Sequence, residues 1–312
     1  LLNDYSAVYI ATGAGRSRKM NILNEDCAGV LDALEFLKDV NLLGKADIGS
    51  RVGIVGGGNA AVDAARAANR IKDCQKVIII YRRTKNEMPA FEEEIEALTE
   101  EGIEIQFLSN PTKIIAQNGK IIGVECIKMQ LGQLDKSGRR KPAPITGSEF
   151  VISLDNLIVA IGEEPDLDFL SDAPLLEVSD WSTIVVNPET LATNIPGVFA
   201  GGDVITGPNT VIQAMADGKT AAQMINKYLR GESLVREYSV TKPSIYYPPI
   251  DLSGQKAVDQ TRPLIPCLPL KNRIKNFREV SLNITEEAAI KEARRCLRCD
   301  LETEDGKKAV KT

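Results

Sequence analysis

The sequence predicts an α/β fold with parallel strands, and three observations carry the prediction. Runs of β-branched residues alternate with helix-like segments through the first three-quarters of the chain. A strand, a glycine turn and an alanine-rich helix follow one another over 52–71. A second glycine turn, Gly201-Gly202-Asp203, lies between a short apolar run and a long helical stretch. The 312 residues are enough for roughly two domains at about 150 residues each.

Taken in order, Ala7–Ala11 is an apolar run with a buried-strand pattern, closed by Thr12-Gly13. Apolar residues from Val30 to Leu43 recur at close to helical spacing, and Gly44 punctuates their end. Val52–Val55 reads as a strand, Gly56–Gly58 as a tight turn, Asn59–Ile71 as a helix and Val77–Tyr81 as a second strand. This β-α-β unit calls for a parallel sheet. Ala90–Glu101 is a charged helix stopped by Gly102. The stretch 104–156 alternates apolar and polar residues, with turns at Asn118-Gly119 and Ser137-Gly138, and is expected to form an antiparallel meander. Leu157–Ile161 is another buried strand, ended by Gly162 and Pro165. Gly197–Ala200 leads into the second glycine turn, and Asn209–Tyr228 has helical character. Thr241–Pro269 is proline-rich and is expected to be extended. A last helix is expected from about Thr285 to Arg298, followed by a disordered tail at 302–312.

Composition narrows the chemistry. The chain has no histidine, which excludes Ser-His-Asp and Cys-His triads, HExxH zinc sites and a haem ligated by a histidine of this chain. Its net charge of −5 argues against a nucleic-acid partner. No apolar run approaches the roughly 20 residues needed for a membrane span. The six cysteines are too sparse for a disulfide scaffold, so a cytoplasmic location is expected. The chain opens on Leu1 without a signal-peptide pattern or an initiator Met, and we expect it to belong to a longer polypeptide.

The first glycine turn reads Gly56-x-Gly58-x-x-Ala61. Gly56 permits the tight exit from the strand, Gly58 lets the backbone approach a pyrophosphate, and Ala61 lets the helix pack close. The N–H groups of Gly58, Asn59 and Ala60 then face an anion at the helix N-terminus. The end of the following strand reads the ribose. An acidic residue there suits NAD(H), and basic residues suit a 2′-phosphate. Here the sequence is Tyr81-Arg82-Arg83-Thr84-Lys85, with no carboxylate before Glu87. Arg82 and Arg83 therefore favour NADP(H), with NAD(H) as the alternative. Asp63 either orients this loop or merely complements the helix dipole.

In the second turn, Gly202 and Asp203 precede a helix whose dipole would stabilise negative charge on a flavin ring, while the carboxylate accepts hydrogen bonds from ribityl or ribose hydroxyls. With Thr12-Gly13, Glu87-Met88-Pro89-Ala90 and Ala160-Ile161-Gly162, the motifs over residues 5–230 resemble the glutamate synthase small subunit type of FAD/NAD(P)H oxidoreductase. They are also similar to the NADPH-binding subunits of electron-bifurcating transhydrogenases. The resemblance implies two Rossmann-like dinucleotide-binding domains. The FAD domain is incomplete at its N-terminus, and the NADP domain is inserted into it. Segments 1–48 and 157–231 would belong to the FAD domain, 49–156 to the NADP(H) domain with its meander, and 232–312 to an extended tail. Carried over by position, Gly202, Asp203, Thr210 and Val211 would line FAD, and Gly58, Asn59, Ala60, Arg82 and Arg83 would hold NADP(H); Thr12, Gly13, Gly56 and Gly162 join them as cofactor-binding residues. The implied activity is hydride transfer between NADP(H) and FAD, with no protein acid or base needed. Electrons would then pass to iron–sulfur centres on flavoprotein or iron–sulfur partner subunits.

Cys296-Leu-Arg-Cys299 closes the last expected helix, with Cys267 upstream. A [4Fe-4S] cluster shared with a partner chain, a redox dithiol and two inert thiols remain open for this pair. Two other functions stay in view. One is a pyridine nucleotide–disulfide reductase acting through Cys296 and Cys299. The other is a non-catalytic nucleotide-binding subunit.

Overall fold

A computed structural model describes residues 4–135, 138–172, 175–236 and 262–293. In chain order the elements are β1 (Val8–Ile10), β2 (Arg16–Ser17), β3 (Val30–Asp32), α1 (Ala33–Leu43), β4 (Arg51–Val55), α2 (Asn59–Arg70), β5 (Lys76–Ile80), α3 (Glu92–Glu100) and β6 (Glu104–Gln106). The meander strands β7 (Ser109–Gln117), β8 (Lys120–Leu134) and β9 (Arg140–Ser153) follow. The chain continues through β10 (Asn156–Val159), β11 (Glu163–Glu164), β12 (Val198–Ala200), α4 (Asp203–Thr206), α5 (Val211–Leu229), α6 (Leu270–Arg273) and α7 (Glu286–Ala293). Contacts divide the chain into two units, one of residues 1–235 with 274–277 and one of 236–273 with 278–312.

The first unit is built on a five-stranded parallel sheet in the order β3-β10-β4-β5-β6. Alternate residues of its strands feed two cores. Val52, Ile54, Val77, Ile79 and Ile158 pack on the helical side against α1, α2 and α3. Val55, Ile78, Ile80 and Leu157 pack on the opposite side against meander residues such as Ile114, Ile121 and Val124. Burial on both faces explains why these strands read as continuous apolar runs rather than alternating ones. A separate parallel pair, β1 and β12, packs on a third core around Ile184 and Val204.

Two local expectations are corrected. Val30–Asp32 is an edge strand, not the first turn of the helix. Asp32 caps α1 by accepting the Glu35 N–H at 3.0 Å, so the helix begins at Ala33. Glu104–Gln106 pairs parallel with β5 instead of joining the meander, which therefore comprises 109–153. The strand expected at 157–161 is β10, and it lies between β3 and β4 in the same sheet as the Gly56 turn. Asn118 and Gly119 turn the β7–β8 hairpin with φ of 51° and 75°.

A salt-bridge cluster ties α2 to the end of α3. The fully buried Glu101 carboxylate accepts hydrogen bonds from Arg70 at 2.9 Å to each oxygen and from Arg66 at 2.9 Å. Arg66 also pairs with Glu94. Burial raises the Glu101 carboxyl, but Arg70 and Arg66 together outweigh it, and the net shift is downward. Lys275 donates to the Cys74 carbonyl at 2.6 Å, so the short return segment of the first unit docks beside β5. In the second unit, a bridge joins Cys267 to Ser281, with α6 between the two residues and α7 after Ser281. Among the described residues no helix is long and apolar enough to cross a membrane. Much of the proline-rich segment, the end of the helix expected to Arg298 and the expected tail lie outside the described residues.

Candidate nucleotide-binding site

The Gly56 turn forms where two parallel strands end side by side. The Ala160 N–H donates to the Val55 carbonyl at 2.8 Å, which brings the chain after β10 against the turn. Gly56 has φ +147°, and a Cβ there would stand 2.2 Å from the Ala160 carbonyl oxygen. Gly57 is closed by the Tyr81 ring, 2.5 Å from where a Cβ would sit. Gly58 differs from both. Its φ of −90° suits any residue, and the only heavy atom near its missing Cβ is Pro89 Cγ at 3.9 Å. Protein packing therefore does not require glycine at 58, whereas a ligand lying across the turn would.

Gly58 is also the N-cap of α2 and supplies no side-chain cap. Its carbonyl accepts from Ala61 and Val62, while the Asn59 and Ala60 N–H groups have no acceptor within the helix. The loop 84–91 folds back onto the turn. Ala90 N–H donates to Gly57 O at 3.2 Å, Phe91 N–H to Asn59 Oδ1 at 3.1 Å, and Tyr81 Oη to Glu87 O at 2.6 Å. The Asn59 side chain thus positions this loop.

The two arginines after β5 are placed differently. Arg82 is exposed and lines a cavity above the turn. Loss of solvation, followed by repulsion from Arg83, lowers its pKa. Arg83 is 4% exposed, and its guanidinium is committed to the meander. It donates to Asp135 Oδ2 and to the Arg140 carbonyl, both at 2.8 Å. Glu87, the nearest carboxylate in sequence, accepts from the Thr84 hydroxyl and from the Thr84 N–H. Those bonds hold its carboxyl below the usual range. One oxygen of the acid that could have bound a ribose diol is therefore already taken by Thr84.

The cavity measures about 870 Å³. It gathers Gly56, Gly58, Asn59, Ala60, Arg82, Arg83, Gly162 and Thr210 from the sequence expectations. Its lining carries five cations, Arg18, Lys19, Arg82, Arg83 and Arg139, against one carboxylate, Glu163. Burial, then Asp32 and Asp203, raises the Glu163 carboxyl. A large cationic cavity over an uncapped helix start fits an anionic dinucleotide.

Thr12, Gly13, Gly202, Asp203 and Val211 are not in that lining. They gather beyond the carboxyl ends of β1 and β12, where Ile10 pairs with Ala200 and Gly201 N–H donates to Ile10 O at 3.1 Å. Gly13 has φ +74° and open space around it. Gly202 has φ 73° and ψ −155°, a region essentially closed to other residues. Gly201 leaves room for the Tyr9 hydroxyl, which stands 2.2 Å from where a Cβ would be. Asp203 accepts from Asn209 N–H at 3.2 Å, and Thr210 caps α5 by accepting from Gln213 N–H at 3.2 Å. Val211 is 76% exposed. The backbone thus offers an open glycine-lined step that fits a flavin's ribityl and ring.

Sequence reasoning missed Asp217. This buried α5 carboxylate accepts from Gly202 N–H at 2.9 Å and from the Gln213 side chain at 2.8 Å, so it holds the glycine turn from below. The one available clue was a carboxylate one helical turn after Gln213, on the side of α5 that faces the protein. Arg139 was missed as well. Asp63 makes no hydrogen bond to the loop that the structure records, and burial followed by Glu94 raises its carboxyl.

Cys296 and Cys299 lie outside the described residues. Cys27, Cys74, Cys126 and Cys267 are free thiols, and burial pushes Cys126 up to about 12. Among the described residues no cluster of three metal-ligating side chains occurs.

Comparison with known proteins places these features in context. The family described as pyridine nucleotide-disulphide oxidoreductase matches residues 3–218. The NADP(+)-dependent formate dehydrogenase subunit beta of Moorella thermoacetica is 41% identical over 310 residues, covering 96% of this chain and 43% of that protein. The NADPH-Fe(3+) oxidoreductase subunit beta of Geobacter sulfurreducens is 33% identical, with 96% and 49% covered. The glutamate synthase [NADPH] small chain of Azospirillum brasilense is 32% identical, with 75% and 51% covered, in line with the resemblance read from the motifs. The chain spans about half the length of these relatives or less. Among solved structures, Lactococcus lactis thioredoxin reductase superposes with a TM-score of 0.56 at 27% identity, covering 72% of this chain and 66% of that one. Mycobacterium tuberculosis FprA in complex with NADPH gives 0.60 at 20% identity, with 73% and 64% covered, a likeness of fold.

Proposed function

Because the chain belongs to the pyridine nucleotide-disulphide oxidoreductase family, we propose that it is the NADPH-oxidising flavoprotein module of a multi-subunit enzyme. In this reading it passes a hydride between NADP(H) and FAD and delivers electrons to iron–sulfur centres on partner subunits. One observation carries the reading. The cavity above the Gly56 turn is also lined by Gly162 and by Pro208, Asn209 and Thr210, which lead into α5. A dinucleotide on the turn would therefore extend toward the helix start where the second glycine turn receives a flavin. The names of the Moorella and Geobacter relatives, both subunits of NADP(H)-linked oxidoreductases, support the same assignment.

The residues divide the work by chemistry. The Asn59 and Ala60 N–H groups at the start of α2 would bind the pyrophosphate, and the bare face of Gly58 would let it come close. The loop 84–91, pinned by Asn59 and Tyr81, walls the site from water. Gly202, held by Asp217, would leave the backbone bare for a ribityl chain, and Asp203 would accept hydrogen bonds from its hydroxyls. The dipole of α5 favours negative charge at its N-terminus. FAD, when bound, supplies a hydride acceptor that can release the pair as single electrons. No side chain has to move a proton for the transfer, which suits a chain without histidine.

Anaerobic titration of the purified full-length polypeptide tests the proposal. Bound flavin should bleach on addition of one equivalent of NADPH. A protein that retains flavin but is not bleached by NADPH or NADH would contradict the reading.

A further inference from the structure

The meander reaches the end of the cavity that the sequence assigned to the two strand-end arginines. Arg139 lies in the turn between β8 and β9 and lines the same cavity as Arg82. Its backbone is fixed by a short latch. Asp135 N–H donates to the Arg139 carbonyl at 2.7 Å, and Arg139 N–H donates to Asp135 Oδ1 at 3.2 Å. The other Asp135 oxygen takes the Arg83 guanidinium at 2.8 Å, and Arg83 also donates to the Arg140 carbonyl. Arg83 thus grips both strands of the hairpin from the end of β5, and the hairpin in turn presents Arg139.

We propose that Arg139 is a specificity-determining residue that clasps the 2′-phosphate of NADP(H) together with Arg82, while Arg83 and Asp135 are positioning residues that hold the hairpin in place. The inference rests on the nucleotide reading above and deepens it. Two guanidinium forks from different elements can meet one dianionic phosphate from two sides. Their mutual repulsion, which contributes to lowering the Arg82 pKa, is relieved when the phosphate enters. NAD(H) has no group to relieve it. Arg83 donates to Asp135 and to the Arg140 carbonyl, which suits it to hold the hairpin.

Calorimetric binding of 2′,5′-ADP and 5′-AMP to the purified full-length polypeptide isolates the phosphate. Wild type should prefer 2′,5′-ADP. Arg139→Ala should weaken 2′,5′-ADP by about tenfold or more, as loss of a charged hydrogen bond predicts. Binding of 5′-AMP should stay within about twofold, since that ligand lacks the phosphate Arg139 is proposed to hold. Arg139→Lys should restore part of the loss. Asp135→Asn should give a smaller loss of the same selective kind. An Arg139→Ala protein that binds 2′,5′-ADP as wild type does, while Arg82→Ala loses it, would overturn the role of the hairpin and leave the site assignment standing. A wild type that shows no preference for 2′,5′-ADP would overturn the NADP(H) assignment itself, and this proposal with it.

Discussion

Alanine at Gly56 and alanine at Gly58 should fail in opposite ways, although the two glycines are only two residues apart. At Gly56 the new methyl would meet the Ala160 carbonyl oxygen at 2.2 Å, on a backbone with φ +147°. Overpacking costs about 1–3 kcal/mol, and a glycine-only conformation adds about 1–3 kcal/mol. The sum, roughly 2–6 kcal/mol, is a large part of an ordinary stability of about 5–15 kcal/mol. At about 2–4 °C per kcal/mol the melting temperature should fall by roughly 5–20 °C. At Gly58 the methyl meets only Pro89 Cγ at 3.9 Å, and the backbone is already extended. The fold should lose no more than about 1 kcal/mol, the cost of alanine at an N-cap. The methyl nevertheless occupies the space above the α2 N–H groups. Loss of one charge-assisted hydrogen bond there, about 1.5–3 kcal/mol, weakens NADP+ binding by about 10- to 100-fold. Thermal melts of both variants, with calorimetric NADP+ titration of Gly58→Ala, separate the two effects. A Gly58→Ala protein that binds NADP+ as wild type does would refute the cradle. A Gly56→Ala protein that melts with wild type would refute the packing argument.

Further predictions concern the supports around the site. Glu101→Gln should cost about 3–5 kcal/mol at pH 7, because Arg70 and Arg66 keep their charges without a buried partner. Because the folded Glu101 carboxyl is lowered, its contribution is present above the unfolded value near about pH 4.3 and is lost as pH falls through the folded value. Urea midpoints of wild type and variant should therefore differ most at neutral pH and converge in acid, and equal midpoints at pH 7 would rule this out. Asp217→Ala should leave the Gly202 N–H without its acceptor, destabilise by about 1–3 kcal/mol, and lower the flavin-to-protein ratio after purification. An unchanged ratio would detach Asp217 from the flavin. Cys126, fully buried with its thiol pushed up to about 12, should resist alkylation at pH 8 in the native protein and react only on unfolding. The exposed Cys267 should react at once. Early labelling of Cys126, located by peptide mass, would contradict its placement.

What the sequence revealed follows from how local each feature is. β4, the Gly56 turn, α2 and β5 were legible because each carries its own pattern: a β-branched run, a glycine exit, an alanine-rich helix. The three-residue strands β3 and β6 were not, because their pairing with β10 and β5 is decided by distant chain. Val30 and Leu31 suit a helix as well as a strand, although Asp32 followed by Glu35 carried a cap pattern that marks the true helix start. The glycines of both turns could be located from spacing alone. The arginines could not be sorted, since only the fold shows that Arg83 is taken by Asp135 while Arg139 arrives from a hairpin more than fifty residues away. Asp217 was hidden for the same reason, because its partner Gly202 lies fifteen residues earlier.

The most direct test is an experimental structure of the full-length polypeptide with NADP+ bound. The account predicts density running from Arg82 and Arg139, across the Gly58 face, to the Thr210 end of the cavity, with the nicotinamide facing the second glycine turn. A cofactor bound elsewhere, or a Gly58 face filled by protein side chains, would contradict it.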